Sequence, residues 1–437
     1  VVDGTGAPPF AADVAVLDGR IAAIGHQLGR ASQTIDATGL LVTPGFVDVH
    51  THFDGQATWD QRLWPTSQQG VTTAVMGNCG VGFAPCRPED RDTLIALMEG
   101  VEDIPDTALH EGLPWTWESF PEYLDALGER RYDIDIAALL PHGPLRVYAM
   151  GERAVRREPA SEQDLQTMQL LVQQGLAAGA VGLSTSRTMA HRSKSGDFTP
   201  MYQAVSHELL QLGLSLKNYP NSVFQMISDF DETEQEFSIL SRVSQATGRA
   251  STLTVIQYPH KPQLHHELLQ LITQANADGQ RITGQVLNRP VGVLMGFECS
   301  LNPFSCKPSY EALAHLPPAE RIRALSDPAT RHRILSEQDR QPHLFMAYFG
   351  HNYAGMYPWQ SDAPVYLPQP EDCVQAQADV AGVQPLEWLY DFMLGNNGQA
   401  LVYLPMANYL NHDCSALHEL LSHAHTVPAL GDGGAHV

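Results

Sequence analysis

Apolar and polar positions along this chain alternate between two periodicities from residue 46 onward. Eight short runs are rich in apolar and β-branched residues, as expected for buried parallel strands: 46–50, 72–76, 134–140, 180–184, 223–227, 253–257, 282–286 and 427–430. Between them, segments such as 89–102, 161–178, 232–246 and 264–277 repeat apolar residues at helical spacing. Strands that alternate with helices in this way are typical of a (β/α)8 barrel, and we therefore predict an α/β fold of this TIM type.

Two regions depart from the alternation. Residues 1–43 contain strand-like runs and no helical pattern, with strands predicted at 13–17, 20–24, 34–36 and 40–42 and a tight turn at Asp18-Gly19. We interpret them as a small N-terminal β-sandwich portion beside a barrel of residues 44–437. Residues 288–380 are rich in proline and aromatic residues, and we predict a long insertion over the barrel mouth. The C-terminal part of the fold, with the helix after the last strand and the partner strands for residues 1–43, is expected to be missing from this chain.

Composition narrows the possible partners. The chain has 437 residues, a formal net charge of −23 and a pI near 5.1, which argues against binding to nucleic acid or to an anionic membrane. The sequence contains no apolar run of about eighteen residues and no visible signal peptide, so we expect no membrane span and a cytoplasmic protein. Its 6 cysteines form no Cys-x-x-Cys framework, which fits a reducing compartment with free thiols or one metal thiolate.

Candidate metal ligands follow three of the predicted strands. Residues i and i+2 of a strand point to the same face, so His50 and His52 can direct two imidazoles into one small volume. Such a pair alone fits a polar strand end equally well. Cys79 follows the second run, where its thiolate could reach a metal or its side chain could be a small buried hydrophobe. Asp432 follows the last run, where it could form a turn, ligate a metal or accept a proton from water.

Other polar residues at strand ends are candidates for substrate binding. His142 follows the third run and could ligate a metal, donate a hydrogen bond to substrate or support the site, and we favour the last two roles. Arg187 and Arg192 follow the fourth run and Arg289 follows the seventh. A guanidinium can pair with a carboxylate through two hydrogen bonds, which suits an anionic substrate, but a solvated loop explains the arginines after the fourth run equally well.

The combination of His50, His52, Cys79 and Asp432 is coherent as a site for one or two zinc ions. Loops at the C-terminal ends of barrel strands carry the active site, and zinc accepts histidine, cysteine and carboxylate ligands while keeping one position for water. The ion lowers the pKa of that water and polarises a carbonyl, and Asp432 could serve as the base. We predict hydrolysis of an amide or a similar acyl bond.

These residues also carry a family resemblance. The hairpin at 19–25 and the stretch Thr43-Pro44-Gly45-Phe46-Val47-Asp48-Val49-His50-Thr51-His52 resemble the opening of the amidohydrolase superfamily. The segments 70–73, 77–80 (Gly-Asn-Cys-Gly) and 81–85 are similar to the N-acyl-D-amino-acid deacylases (D-aminoacylases) of the amidohydrolase-3 family, and 182–185 and 431–436 agree in order and spacing. The resemblance covers essentially the whole chain. It implies a barrel with a small β-sandwich built from both termini, zinc as cofactor, Cys79 as a metal ligand and Asp432 as the base that activates water.

The function implied by the resemblance is zinc-dependent cleavage of the amide bond of N-acyl-D-amino acids, which are small-molecule substrates. One feature departs from it, because such deacylases commonly have a metal-binding histidine at the end of each of two middle strands, where this chain has Gln225 and Gln257. A neutral amide is a poor zinc ligand beside imidazole. Two alternatives stay open: another amidohydrolase that acts on a cyclic or linear amide, and a metal-altered, non-catalytic binding protein on the same fold.

Overall fold

The computed structural model describes residues 1–299, 302–340, 346, 349–359, 362–429, 431 and 433–435, which form a mixed α/β structure. The strands are β1 Asp13–Leu17, β2 Arg20–Gly25, β3 Phe46–Asp48, β4 Val71–Met76, β5 Asp135–Ala138, β6 Leu140–Pro141, β7 Gly182–Arg187, β8 Val223–Ser228, β9 Ala250–Thr254, β10 Ile282–Val286, β11 Val291–Met295, β12 Tyr357–Trp359, β13 Leu401–Ala407 and β14 Thr426–Pro428.

The α-helices span Arg91–Glu102, Asp106–Gly112, Phe120–Gly128, His142–Met150, Glu152–Val155, Glu162–Ala178, Ser206–Leu214, Thr233–Thr247, Leu264–Ala277, Pro308–Glu311, Pro318–Leu325, Pro328–Ser336, Val374–Ala381, Pro385–Met393, Gly395–Gly398 and Ser415–Ser422. Short 3-10 turns span Gln56–Thr58, Thr66–Gln69, Asn78–Gly80, Pro88–Asp90, Ser215–Asn218, Pro370–Asp372 and Leu410–His412. Among the described residues, no helix combines the length and the apolar character that crossing a membrane requires.

Two parallel sheets organise the structure. One has the order β3-β4-β5, and the other has the order β14-β10-β9-β8-β7-β6. Only Leu139 separates β5 from β6, and its N–H donates to Met76 O at 2.9 Å. On the other side of this break, Val181 N donates to Ala138 O at 2.9 Å. The two sheets therefore share one interrupted strand.

The chain after β14 lies against the end of β3. Gly431 N donates to the Asp48 carboxylate at 3.1 Å, and His52 N donates to Gly433 O at 3.2 Å. The eight predicted runs each overlap a strand of the parallel sheets, and Leu430 lies outside the described residues. The residues that follow β3 and the described residues after β14, Gly431 and Gly433, are thus brought to one region of the molecule.

The helices around the parallel sheets follow from their sequence. Helix Glu162–Ala178 begins at Ser161, whose Oγ accepts from Asp164 N at 3.2 Å while Ser161 N donates back to the Asp164 carboxylate at 2.8 Å. Gly179 caps its C-terminal end with φ 119, a left-handed conformation that glycine adopts without strain. Its buried face presents Leu165, Met168, Val172 and Leu176, at the spacing of successive helical turns, to one large core shared with the parallel strands.

The N-terminal region forms only part of the predicted strands. β1 and β2 pair antiparallel across the Asp18-Gly19 turn, both of whose residues have positive φ, as predicted. The strands predicted at 34–36 and 40–42 do not form. Ile35, Leu40 and Leu41 are 80%, 69% and 73% exposed, so the described structure offers their side chains no surface to pack against. Strand propensity without a pairing edge and a buried face does not produce a strand.

Part of the segment 288–380 folds together with later residues around a second, smaller core. An antiparallel sheet of order β11-β13-β12 forms its base. Its core residues include Phe297, Phe304, Tyr310 and Tyr390, whose rings contact one another with centroid distances of 5.0 to 5.9 Å. The unit therefore continues past residue 380, through helix Pro385–Met393 to β13.

Candidate metal centre

Three predicted ligands converge after β3 and β4. One side-chain ligand atom each from His50, His52 and Cys79 lies within 4.8 Å of the others, and His50 Nε2 is 3.1 Å from Cys79 Sγ. The three residues are 1–3% exposed. Two imidazoles and one thiol at this spacing match the donor set of a zinc site that keeps a fourth position open.

A tight turn presents Cys79 to the histidines. Gly77, Cys79 and Gly80 all have left-handed φ values of 78, 55 and 71. A Cβ atom at Gly77 would lie 2.2 Å from Leu139 O, so only glycine fits there. Two polar side chains hold the strained turn: Cys79 N donates to Gln225 Oε1 at 3.1 Å, and Gly80 N donates to Ser184 Oγ at 3.0 Å.

Each histidine is oriented by a buried partner. His50 Nδ1 lies 2.6 Å from Gln285 Oε1, and with that oxygen as acceptor Nδ1 carries the proton and Nε2 keeps its lone pair. His52 Nδ1 lies 3.3 Å from Glu102 Oε1, which leaves Nε2 as the ligand atom. Carboxylate and amide partners of this kind fix the ring and tautomer of metal-binding histidines.

Burial makes the centre electrostatically favourable for a cation. Burial lowers the pKa of His50 to about 4, so its ring stays neutral and able to ligate. Burial raises the pKa of Asp54 to about 7, and burial together with the charge of Asp54 raises the pKa of Glu102 to about 8. Burial, and then the charges of Glu102 and Asp54, raise the pKa of the Cys79 thiol well above its usual range. A divalent cation would lower the pKa values of the two carboxyls and the thiol and so favour their charged forms, while His50 is already neutral, so the residues present fit a zinc ion.

The predicted base, Asp432, lies outside the described residues. Its two neighbours are described: Gly431 is bonded to Asp48, and Gly433 accepts from His52 N. The segment that carries Asp432 is therefore anchored on both sides to the strand end that carries His50 and His52.

The structure gives the other predicted site residues protein partners. His142 is buried, with Nδ1 2.9 Å from Thr185 Oγ1 and Nε2 2.8 Å from Glu208. Glu208 also pairs with Arg146, so His142 belongs to a buried ionic cluster.

The three candidate arginines occupy different places. Arg187 makes two hydrogen bonds to the Glu236 carboxylate. Arg192 lies over the Phe198 ring at 3.9 Å and donates to two backbone carbonyls of its own loop. Arg289 Nη2 donates to Gly431 O at 3.0 Å, which places Arg289 beside the residue that precedes the predicted base.

The two glutamines that replace expected histidines differ in their surroundings. Gln225 is fully buried in β8, where Oε1 supports Cys79 and Nε2 has no hydrogen bond within the described part of the chain. Gln257 lies beyond the end of β9 and lines a cleft of about 210 Å³ together with residues such as Asn352 and Tyr357. Gln225 therefore supports the backbone of Cys79, a candidate ligand.

Glu102, Gln285 and Asp54 are site residues that the sequence pattern alone did not identify. Glu102 lies on the buried face of helix Arg91–Glu102, one turn after Met98, and a charge on an apolar helical face was the available signal. Gln285 is a polar residue inside an otherwise buried strand. Asp54 offered no signal beyond its position two residues after His52.

A family model described as "Amidohydrolase family" matches residues 33–437. Among curated proteins, the chain is 32% identical over 213 residues to a D-aminoacylase from Alcaligenes xylosoxydans xylosoxydans. The match covers 48% of this chain and 39% of that relative, so the compared stretch spans well under half of the relative's length.

Solved structures resemble the chain over almost its full length. A crystal structure of D-aminoacylase matches with a TM-score of 0.61 and 22% identity, covering 98% of this chain and 73% of that one. N-acyl-D-glutamate deacylase from Bordetella bronchiseptica, in complex with zinc and a phosphonate inhibitor that mimics the tetrahedral intermediate, matches with a TM-score of 0.57 and 23% identity over 98% of this chain and 73% of that one. At these identities the likeness shows the fold.

Proposed function

Because the chain belongs to the amidohydrolase family, we propose that it is a zinc-dependent hydrolase that cleaves the amide bond of N-acyl-D-amino acids to a D-amino acid and a carboxylate. The observation that carries the proposal is the buried cluster of His50, His52 and Cys79. The substrate class is supported by the likeness to a D-aminoacylase and to an N-acyl-D-glutamate deacylase.

The proposal includes a closed (β/α)8 barrel. The shared strand at Leu139 and the contacts of Gly431 and Gly433 with the end of β3 support closure, since they connect the parallel sheets at both edges. In such a barrel the residues after β3, β4 and β14 belong to the face on which catalysis occurs.

His50, His52 and Cys79 hold one zinc ion in this proposal. When bound, zinc polarises a carbonyl and makes a water molecule more acidic. Glu102 and Gln285 hold the imidazoles in orientation, and Gln225 holds the turn of Cys79. A single ion is favoured because Gln225 and Gln257 are neutral amides, which are poor zinc ligands. In addition, the side-chain oxygen of Gln225 already accepts the N–H of Cys79.

Asp432 acts as general base and as an additional ligand. It takes a proton from the attacking water and passes a proton to the leaving amine. The support for this role is that Gly431, before it, donates to Asp48, and Gly433, after it, accepts from the N–H of the proposed ligand His52.

Arg289 is the favoured partner for the substrate carboxylate, because its guanidinium is bonded to Gly431 beside the predicted base. Arg187, the last residue of β7, and Arg192, in the loop after it, remain candidates, and His142 supports the site from its buried cluster with Glu208. Replacing Arg289 with Met should raise KM most for substrates that carry a carboxylate. The matched control is Arg156→Met, since Arg156 is an exposed arginine that pairs with Glu152 and Glu158. Equal effects on neutral amides would remove Arg289 from this role.

The direct test is amine release from paired N-acyl-D- and N-acyl-L-amino acids by the zinc-loaded full chain. We expect turnover of D substrates that is lost in His50→Ala and His52→Ala. A protein that binds zinc and hydrolyses only cyclic or neutral amides would support the alternative amidohydrolase activity and contradict the deacylase assignment.

The presence of Gln225 and Gln257 where similar deacylases have histidines favours a second candidate, a metal-altered binding protein on the same fold. It differs from the first in two measurable properties, zinc uptake and amine release. A chain that binds N-acyl-D-amino acids in equilibrium dialysis, but takes up no zinc and releases no amine, would support the second candidate and refute the first.

A further inference from the structure

A second group of metal-binding side chains lies away from the His50, His52 and Cys79 centre. His265 and His266 occupy the first turn of helix Leu264–Ala277, and Glu419 faces them from helix Ser415–Ser422. One ligand atom from each lies within 4.8 Å of the others. His266 Nδ1 is 3.0 Å from Glu419 Oε1, and His265 Nε2 is 3.9 Å from Glu419 Oε2.

The state of His265 points to a ligand. Its side chain is 1% exposed; the ring faces the backbone of Pro262 and the Glu419 carboxylate, but neither ring nitrogen forms a hydrogen bond of acceptable geometry within the described residues. A buried polar group without a partner destabilises the folded state, so such groups are nearly always satisfied by protein, water or an ion.

The packing of the two rings is unusual for neighbours on a helix. Side chains one residue apart normally point in different directions, yet the His265 and His266 ring centroids are 3.9 Å apart with an interplanar angle of 35°. Both rings therefore turn toward Glu419. His266 and Glu419 are each 42% exposed, which leaves an open side for water to complete the coordination.

We propose that His265, His266 and Glu419 form a second binding site for a divalent transition metal such as Zn²⁺ or Ni²⁺, which links two helices outside the catalytic centre. Imidazole and carboxylate donors suit these ions, whereas Ca²⁺ and Mg²⁺ prefer oxygen ligands throughout. The inference does not depend on the hydrolase proposal.

The position of the site gives it a structural consequence. Helix Ser415–Ser422 leads directly into β14, which pairs with β10 through only three residue pairs. Beyond β14, Gly431 and Gly433 contact the end of β3. A metal that ties Glu419 to helix Leu264–Ala277 therefore stabilises the attachment of this last strand.

The test uses the full chain with its first centre disabled by His50→Gln and Cys79→Ser. We expect this protein, after removal of metal by chelation, to bind one Zn²⁺ or Ni²⁺ per chain and to unfold at a higher temperature when the ion is added. Adding His266→Gln or Glu419→Gln should weaken that binding more than about tenfold, since even partners of metal ligands are worth about tenfold in affinity, and should abolish the thermal shift.

His423→Gln is the matched control. His423 is adjacent to the same helix, but Nε2 is 3.1 Å from Thr273 Oγ1 and Nδ1 accepts from His425 N at 3.2 Å, so it has no free nitrogen for the ion. The His423→Gln variant should bind the added Zn²⁺ or Ni²⁺ with the same affinity as its parent protein. If the disabled first centre prevents folding, the same comparison in the otherwise wild-type chain should show the total metal content falling by one ion. Unchanged stoichiometry and affinity in both His266→Gln and Glu419→Gln would overturn the proposal.

Discussion

Gly77→Ala tests the local geometry that presents Cys79 to the histidines. Gly77 has φ 78, and a Cβ atom there would lie 2.2 Å from Leu139 O and 3.0 Å from Leu139 C. The clash is with backbone, not with the end of a flexible side chain. Leu139 cannot move freely, because its own N–H donates to Met76 O at 2.9 Å within the parallel sheet.

Two contributions set the magnitude. A left-handed conformation costs an L-residue about 1–2 kcal/mol. Forcing an extra carbon into a packed region costs about 1–3 kcal/mol more. We therefore expect Gly77→Ala to lower the free energy of unfolding by about 2–5 kcal/mol in total. We also expect weaker zinc binding, since the turn must shift Cys79 to relieve the contact.

The matched control is Gly248→Ala. Gly248 has φ 69, but a Cβ atom there meets nothing within 4 Å, so the substitution isolates the conformational cost. Urea unfolding of both variants and the parent, together with zinc titration against a chromophoric chelator, measures the two effects. Equal destabilisation by Gly77→Ala and Gly248→Ala, with unchanged zinc affinity, would refute the role assigned to the turn.

Three further predictions concern buried partners. Glu102→Gln should weaken zinc binding by about 10–100-fold, because the variant lacks the carboxylate that orients His52. Competition titration measures the zinc affinity, and an unchanged affinity would contradict that role of Glu102. Gln285→Leu should weaken zinc binding about tenfold, since His50 Nδ1 loses its acceptor, and its fold should remain intact by circular dichroism. Burial opposes ionisation of Glu208, but its hydrogen bonds and ion pairs prevail and lower its pKa from 4.5 to about 2. The stability from Glu208 is therefore present above pH 4.5 and lost as pH falls toward 2. Glu208→Gln should cost about 3 kcal/mol at pH 7 and flatten the urea-unfolding profile over that window, whereas a parallel pH profile would contradict the assignment.

The pattern of residues predicted much of the scaffold, because the information was local. The Asp18-Gly19 turn and the apolar runs of the parallel strands depend on neighbouring residues and on burial of both strand faces. The strands predicted at 34–36 and 40–42 failed for the opposite reason: a single backbone bond, from Val2 N to Val42 O, is no strand ladder, and the Leu40 and Leu41 side chains have no buried face to pack against. Pairing is a long-range property that propensity does not contain.

The same division applies to the metal centre. His50 and His52 are only two residues apart, so their convergence could be predicted from local sequence, but β3 ends at Asp48 and the two residues lie in the segment after it, beyond the strand whose alternation predicted a shared face. Glu102 and Gln285 reach the histidines from a distant helix and strand, and only the folded backbone determines those contacts. The sequence showed that Gln225 stands where similar deacylases have a metal-binding histidine. The structure adds that its side chain supports the backbone of Cys79.

The most direct test of the central claim is zinc-dependent amide hydrolysis by the full chain. The metal-free protein should be titrated with Zn²⁺ while amine release from an N-acyl-D-amino acid is followed, in parallel with His50→Ala, His52→Ala and Cys79→Ala. The account predicts activity that rises with occupancy of the three-ligand site and that each variant lacks. Full activity in the metal-free protein, or in all three variants, would contradict it.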